Sequence, residues 1–269
     1  MTRIIILSFV AVLSIIGLFG ANHYVPFQIE VFVVYLCIGF FVVGLLSVIK
    51  PFRFFYIRSR KLALLLVNVG LLLFVTGLIF PSPMIRSKRL HQCIDDFMPE
   101  YQFYEYHEMS VNAPAEALYR AVREVAFTDI PIARWLLRIR GMKTGQFAQP
   151  ILEELTQPGT GFLSLENSNL YEYVGGFVGK PWSNDKPPDV KTPEEFCAFR
   201  LPGNIKVAFN MHVVAMEDGI CRLSSETRII GVDASAQKAF SRYWRMIYPG
   251  SAIIRRMWID AIADRAIKQ

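Results

Sequence analysis

The sequence predicts a transmembrane segment of three helices followed by one α+β domain. Three observations carry that reading. Apolar runs fill the first eighty residues. The net basic excess is confined to that part of the chain. After residue 100, alternating β-rich stretches are followed by a long helical pattern.

The apolar runs come first. Of 269 residues, 53% are hydrophobic, and mean hydropathy is positive. Uncharged runs cover about residues 4–21, 31–49 and 62–80. Each approaches the roughly 20 residues that cross a hydrocarbon core of about 30 Å. Helix is required there because lipid offers the backbone no hydrogen-bond partners. The first run follows Arg3 and could also be a signal peptide. Cleavage after Ala21 would place Phe19 where a small residue is wanted, which favours a retained helix.

The charge pattern gives an orientation. Residues 1–89 carry a net charge of +8 and residues 90–269 carry −2. The loop after the first run has no Lys or Arg. The loop after the second holds Lys50, Arg53, Arg58, Arg60 and Lys61. Basic residues mark the cytoplasmic side, so the N-terminus is expected inside and the C-terminal domain outside, as in a bacterial inner membrane protein. A slightly acidic folded domain argues against nucleic-acid binding. Asn68 lies in the third run, where its amide is expected to bond another helix or to be a tolerated polar residue satisfied within the bundle.

Pro81-Ser82-Pro83 ends the third run, and residues 81–100 read as a linker or a short interfacial helix. Tyr101–Val111 reads as a strand. Pro114 opens a helix with Leu118, Ala121, Val122 and Val125 on one face. Ile132–Arg140 and Pro150–Thr156 read as short helices. Gly161–Ser168 and Leu170–Gly179 read as strands turned near Asn169. Glu194–Arg200, Ile205–Met216 and Cys221–Val232 complete the strands. Leu201-Pro202-Gly203-Asn204 and Glu217-Asp218-Gly219 are turns. Ala234–Tyr248 is helical. Pro249-Gly250-Ser251 is expected to interrupt it before a second helix reaches Lys268.

Several stretches resemble a bacterial branch of the START-like or polyketide cyclase (SRPBCC, Bet v 1-like) superfamily. They are Glu105-Tyr106-His107, Val111-Asn112-Ala113-Pro114, Leu201-Pro202-Gly203, Lys206–Asn210, Leu223–Arg228, Tyr243-Trp244-Arg245 and Pro249-Gly250-Ser251. The resemblance covers roughly residues 100–269. It implies a helix-grip fold, a curved antiparallel sheet wrapping a long C-terminal helix. It also implies a cavity for an apolar ligand such as a lipid, a quinone or a polyketide. Phe209, Met211, Glu226, Arg228, Tyr243 and Trp244 are the candidates for lining it.

Catalytic motifs are weak. His107-Glu108 begins a zinc-protease pattern, but position 111 is Val, so the pair reads as a strand-surface His beside a carboxylate. Gly175–Lys180 is one residue short of a phosphate loop and is followed by Pro181. Glu226 and Arg228, two apart on one strand, could orient a polar head group or form a solvated or structural ion pair. Arg245, Arg255 and Arg256 lie among aromatic residues, suited to anionic lipid or to stem packing with exposed charges. The four Cys show no zinc spacing and read as unpaired buried thiols. No metal or cofactor is expected.

Three functions follow, in order. The first is a membrane-anchored domain binding an apolar ligand. The second is an accessory subunit of a larger membrane complex, with other membrane proteins as partners. The third is a cyclase- or dehydratase-like enzyme using Glu226 or His107.

Overall fold

A computed structural model describes residues 28–50, 57, 59–79, 82–87, 92–139, 149–166 and 171–269. The first apolar run and the turn near Asn169 lie outside the described residues. The described chain divides into two compact units.

One unit holds helix α1 (Ile29–Ile49), helix α2 (Arg60–Ile79) and Ser241–Tyr248 of the last helix. At 1.5 Å per residue, each of the first two is about 30 Å long. Both are long and apolar enough to cross a membrane. Their apolar side chains face outward: Leu65 is 58% exposed and Leu72 67%. A helix of a soluble core would bury them. The two backbones approach closely at glycine. A Cβ on Gly70 would lie 3.0 Å from Phe41 N and 3.2 Å from Cys37 O. Polar side chains are satisfied within their own helix: Asn68 Nδ2 donates to Leu64 O at 2.8 Å, and Thr76 Oγ1 donates to Leu72 O at 2.8 Å. In the same unit Tyr35 donates to Met246 O, Trp244 Nε1 to Gln28 Oε1 and Arg245 Nη1 to Leu78 O.

The other unit is built on a five-stranded antiparallel sheet. Its strands are β3 (Phe103–Asn112), β4 (Phe162–Glu166), β5 (Glu172–Gly179), β6 (Ile205–Ala215) and β7 (Ile220–Gly231), in the order β3-β7-β6-β5-β4. A two-stranded ladder pairs β1 (Ile85–Arg86) with β2 (Glu100–Tyr101). Helices α3 (Ile94–Phe97), α4 (Ala115–Glu124), α5 (Pro131–Ile139), α6 (Ile151–Leu155) and α7 (Pro193–Ala198) lie in the connections. Helix α8 (Ala234–Ile267) ends the chain.

Both sheet faces are covered. On the inner face, Phe209, Met211, Val213 and Leu223 share a core with Leu118 and Val122 of α4 and with Trp258, Ile259 and Ile262 of α8. On the outer face, Ala208, Val174 and Val178 pack with Ile94, Met98 and Phe196. The stretch expected as a linker thus includes buried side chains: Ile94 is fully buried and Met98 nearly so.

Two further expectations are corrected. Glu194–Arg200 is not a strand. Thr192 Oγ1 accepts from Glu195 N at 3.2 Å and Pro193 supplies a preset first helical turn, so a short helix forms. Pro249 does not interrupt the last helix, which runs through 34 residues. Proline removes one backbone donor but its fixed φ suits a helix, and Tyr248 and Ala252 beside it are fully buried. Packing therefore carries the helix past the lost bond. Asp233 caps its start, accepting from Ala236 N at 2.7 Å and from Gly203 N at 2.9 Å.

Candidate functional site

The residues proposed from sequence fall in three places. Phe209 and Met211 lie on the inner sheet face, both buried. Glu226 and Arg228 lie on the outer face, since Asn210 pairs with Glu226 while Phe209 pairs with Thr227. Tyr243 and Trp244 belong to the unit that contains α1 and α2.

The outer-face pair is a structural clamp, not a solvated one. Arg228 is fully buried. Its Nε donates to Glu226 Oε1 at 2.7 Å, and its Nη1 donates to Asp95 Oδ1 at 2.7 Å and to Met98 O at 2.8 Å. Its Nη2 donates to Ser87 Oγ at 3.1 Å. Burial works against the cation, but the bonds and fields of Glu226 and Asp95 outweigh it and hold the guanidinium above its ordinary pKa. These bonds fasten Ser87, Asp95 and Met98 to the sheet.

A different cluster lies inside. Cross-strand partners share a face, so the register sets Glu105, Thr227, Phe209, Gly175 and Ser164 in one transverse row. His107, Ser225, Met211 and Tyr173 form the next row. Gly175 leaves space that the Phe209 ring takes: a Cβ there would collide with that ring. Ser251 and Arg255, one helical turn apart on α8, face these rows. Ser251 Oγ donates to Glu105 Oε2 at 3.0 Å, and His107 Nε2 donates to Glu105 Oε1 at 2.8 Å. The Arg255 guanidinium lies over the rings of Phe209 and Trp258, 5.2 and 5.3 Å from their centres.

This cluster has an uneven hydrogen-bond account. Arg255 as a residue is half-buried, yet its Nη1 is fully buried without an acceptor among the described residues. The Thr227 hydroxyl and Trp258 Nε1 are likewise buried and unpartnered. Burial lowers the Arg255 pKa, and the Glu105 carboxylate opposes that shift. An unsatisfied buried donor costs about 1–3 kcal/mol, so three residues bordering the Phe209 ring with such groups mark a place suited to an acceptor.

Several residues behave differently from their sequence reading. His107 is buried and pairs with Glu105, while Glu108 accepts from Tyr106 instead. Arg245 and Arg256 are buried, not exposed charges; Arg256 donates to Glu108 O and meets Asp260 at 3.0 Å. Cys197 is an exposed thiol. Glu105, Thr227, Ser251 and Trp258 were missed as a group. Their signal was spacing: 105 and 107 share a strand face, and 251 and 255 share a helix face.

The arrangement can hold one acceptor oxygen at Arg255 above an apolar floor of Phe209 and Met211. Among the described residues there is no group of three or more metal-ligating side chains. No protein-family model, curated protein or solved structure matches the chain.

Proposed function

We propose that the chain is a membrane-anchored protein whose α+β unit is a START-like, helix-grip domain binding an apolar ligand between the inner sheet face and α8. The observation that carries this reading is the set of polar atoms of Thr227, Arg255 and Trp258 that are buried without a partner among the described residues, beside the apolar core of Phe209 and Met211. Phe209 and Met211 form its floor. An open indentation of about 280 Å³ lies between Tyr171, Met216 and Cys221, and it is lined by none of Thr227, Arg255 and Trp258. Helices α1 and α2 anchor the domain in the bilayer that supplies a lipid- or quinone-like ligand, with the domain on the outer side.

The test is extraction. Full-length protein purified in mild detergent is extracted with organic solvent and the extract is read by mass spectrometry. A specific apolar molecule in near-stoichiometric amount is expected. Protein that retains no apolar molecule and takes up none added to it overturns the reading.

A further inference from the structure

We infer that the interior between the sheet and α8 selects a neutral amphiphile with a carbonyl-type oxygen, rather than an acid, and seats that oxygen on Arg255. This rests on the ligand-binding reading above and adds the chemistry of the head group.

The argument starts from donors and acceptors. Arg255 Nη1 and Trp258 Nε1 can only donate. Both are buried without a partner among the described residues. The ligand group that meets them must therefore accept. The Thr227 hydroxyl, paired in register with both Glu105 and Phe209, can add a third donor.

Charge decides between acceptors. Glu105 is 1% exposed, and its two oxygens are already occupied, by His107 Nε2 and Ser251 Oγ. Its carboxylate lies under the helix face that carries Ser251 and Arg255, and its field supports the guanidinium. The guanidinium thus already lies in the field of one carboxylate, which Ser251, one helical turn away, holds in place. A carboxylate or phosphate entering beside Glu105 would bring a second negative charge into the interior, where the other basic side chain of this cluster among the described residues, His107, is already turned to Glu105. Uncompensated buried charge is costly. A ketone, ester, amide or quinone oxygen satisfies the donors and leaves the charge balance unchanged. The remaining apolar part meets Phe209, Met211 and the aromatic faces that already carry Arg255.

The test compares two probes of equal chain length, 2-dodecanone and dodecanoate, at pH 8. The full chain is held in an uncharged detergent, and affinities are read by tryptophan fluorescence. The ketone is expected to bind about tenfold or more tighter than the acid. Arg255→Met should weaken ketone binding about tenfold, the loss of one hydrogen bond from a charged donor. Thr227→Val keeps shape and β-branching. It guards against misfolding of the arginine variant and should weaken the ketone several-fold with unchanged unfolding. Dodecanoate binding as tightly as the ketone overturns the neutral-head inference while leaving the ligand-binding reading standing. Ketone binding that neither variant changes shows that the site lies elsewhere. Failure of both probes to bind overturns the ligand-binding reading itself.

Discussion

Arg228 Nη1 donates to Asp95 Oδ1 at 2.7 Å, joining two residues 133 positions apart. The arginine is fully buried and also holds Glu226. Removing it strands two carboxylates against the sheet. Arg228→Met is expected to cost about 3 kcal/mol or more, the range for breaking one side of a buried pair. Denaturant unfolding of the full chain in detergent measures it. Adding Glu226→Gln to that variant should restore part of the loss, because one stranded charge is then gone. A double variant as unstable as the sum of both singles would contradict the clamp.

Asp233 gives the domain an acid-sensitive point. Its carboxyl is held below the usual range, first by the Ala236 backbone N–H, then by the Ser235 hydroxyl and Gly203 N–H. A folded pKa below the unfolded one gives stability that is complete above about pH 5. That stability is lost as pH falls through the folded pKa. Asp233→Asn retains a cap acceptor and should flatten the acid limb of the unfolding curve. Asp233→Ala should lower stability at neutral pH as well.

Two glycines separate steric from conformational need. A Cβ on Gly231 would stand 2.5 Å from Gln237 N, a backbone atom that cannot swing aside. Gly219 has φ +74° and open space around it. Gly231→Ala is expected to cost about 1–3 kcal/mol by overpacking. Gly219→Ala should cost about 1 kcal/mol through its left-handed backbone alone. Thermal unfolding of both variants orders them.

Cys197 reports orientation. It is exposed, whereas Cys37 and Cys221 are buried and Cys93 is half-buried. A membrane-impermeant maleimide should label Cys197 fastest, and Cys197→Ser should remove the rapid signal. With the domain outside, labelling occurs in intact cells. Labelling only after lysis would reverse the orientation.

Periodicity made much of this fold readable. Residues 205–215 alternate cleanly, and β6 lies within one residue of its expected bounds. The residues 31–49 expected as a span lie inside α1. What stayed hidden depended on partners far along the chain. Glu194–Arg200 has β-like composition, and its helix depends on the Thr192 cap and Pro193 that precede it. Pro249 looked like a break because its compensation is burial of its neighbours. Glu226 and Arg228 share a face as expected, but spacing does not say which face. The register with Asn210 and Ala208 places them outside, against Asp95. The inner cluster was half legible: Phe209 and Met211 were named, but the polar atoms above them come from β3 and α8, which only tertiary packing brings over β6.

The strand order has a consequence for synthesis. β3 is the first long strand of the sheet, and its ladder partner is the last, β7. At about 5–20 residues per second, the roughly one hundred residues between them take on the order of 5–20 s to make. Until then β3 waits with its backbone unpaired, carrying Glu105 and His107 before anything can cover them. The meander β4 to β7 can assemble as it emerges, but β3 can join it only once β7 has been made. The nascent chain therefore needs its early strand shielded, and a chain stalled before β7 would expose the segment most open to mispairing.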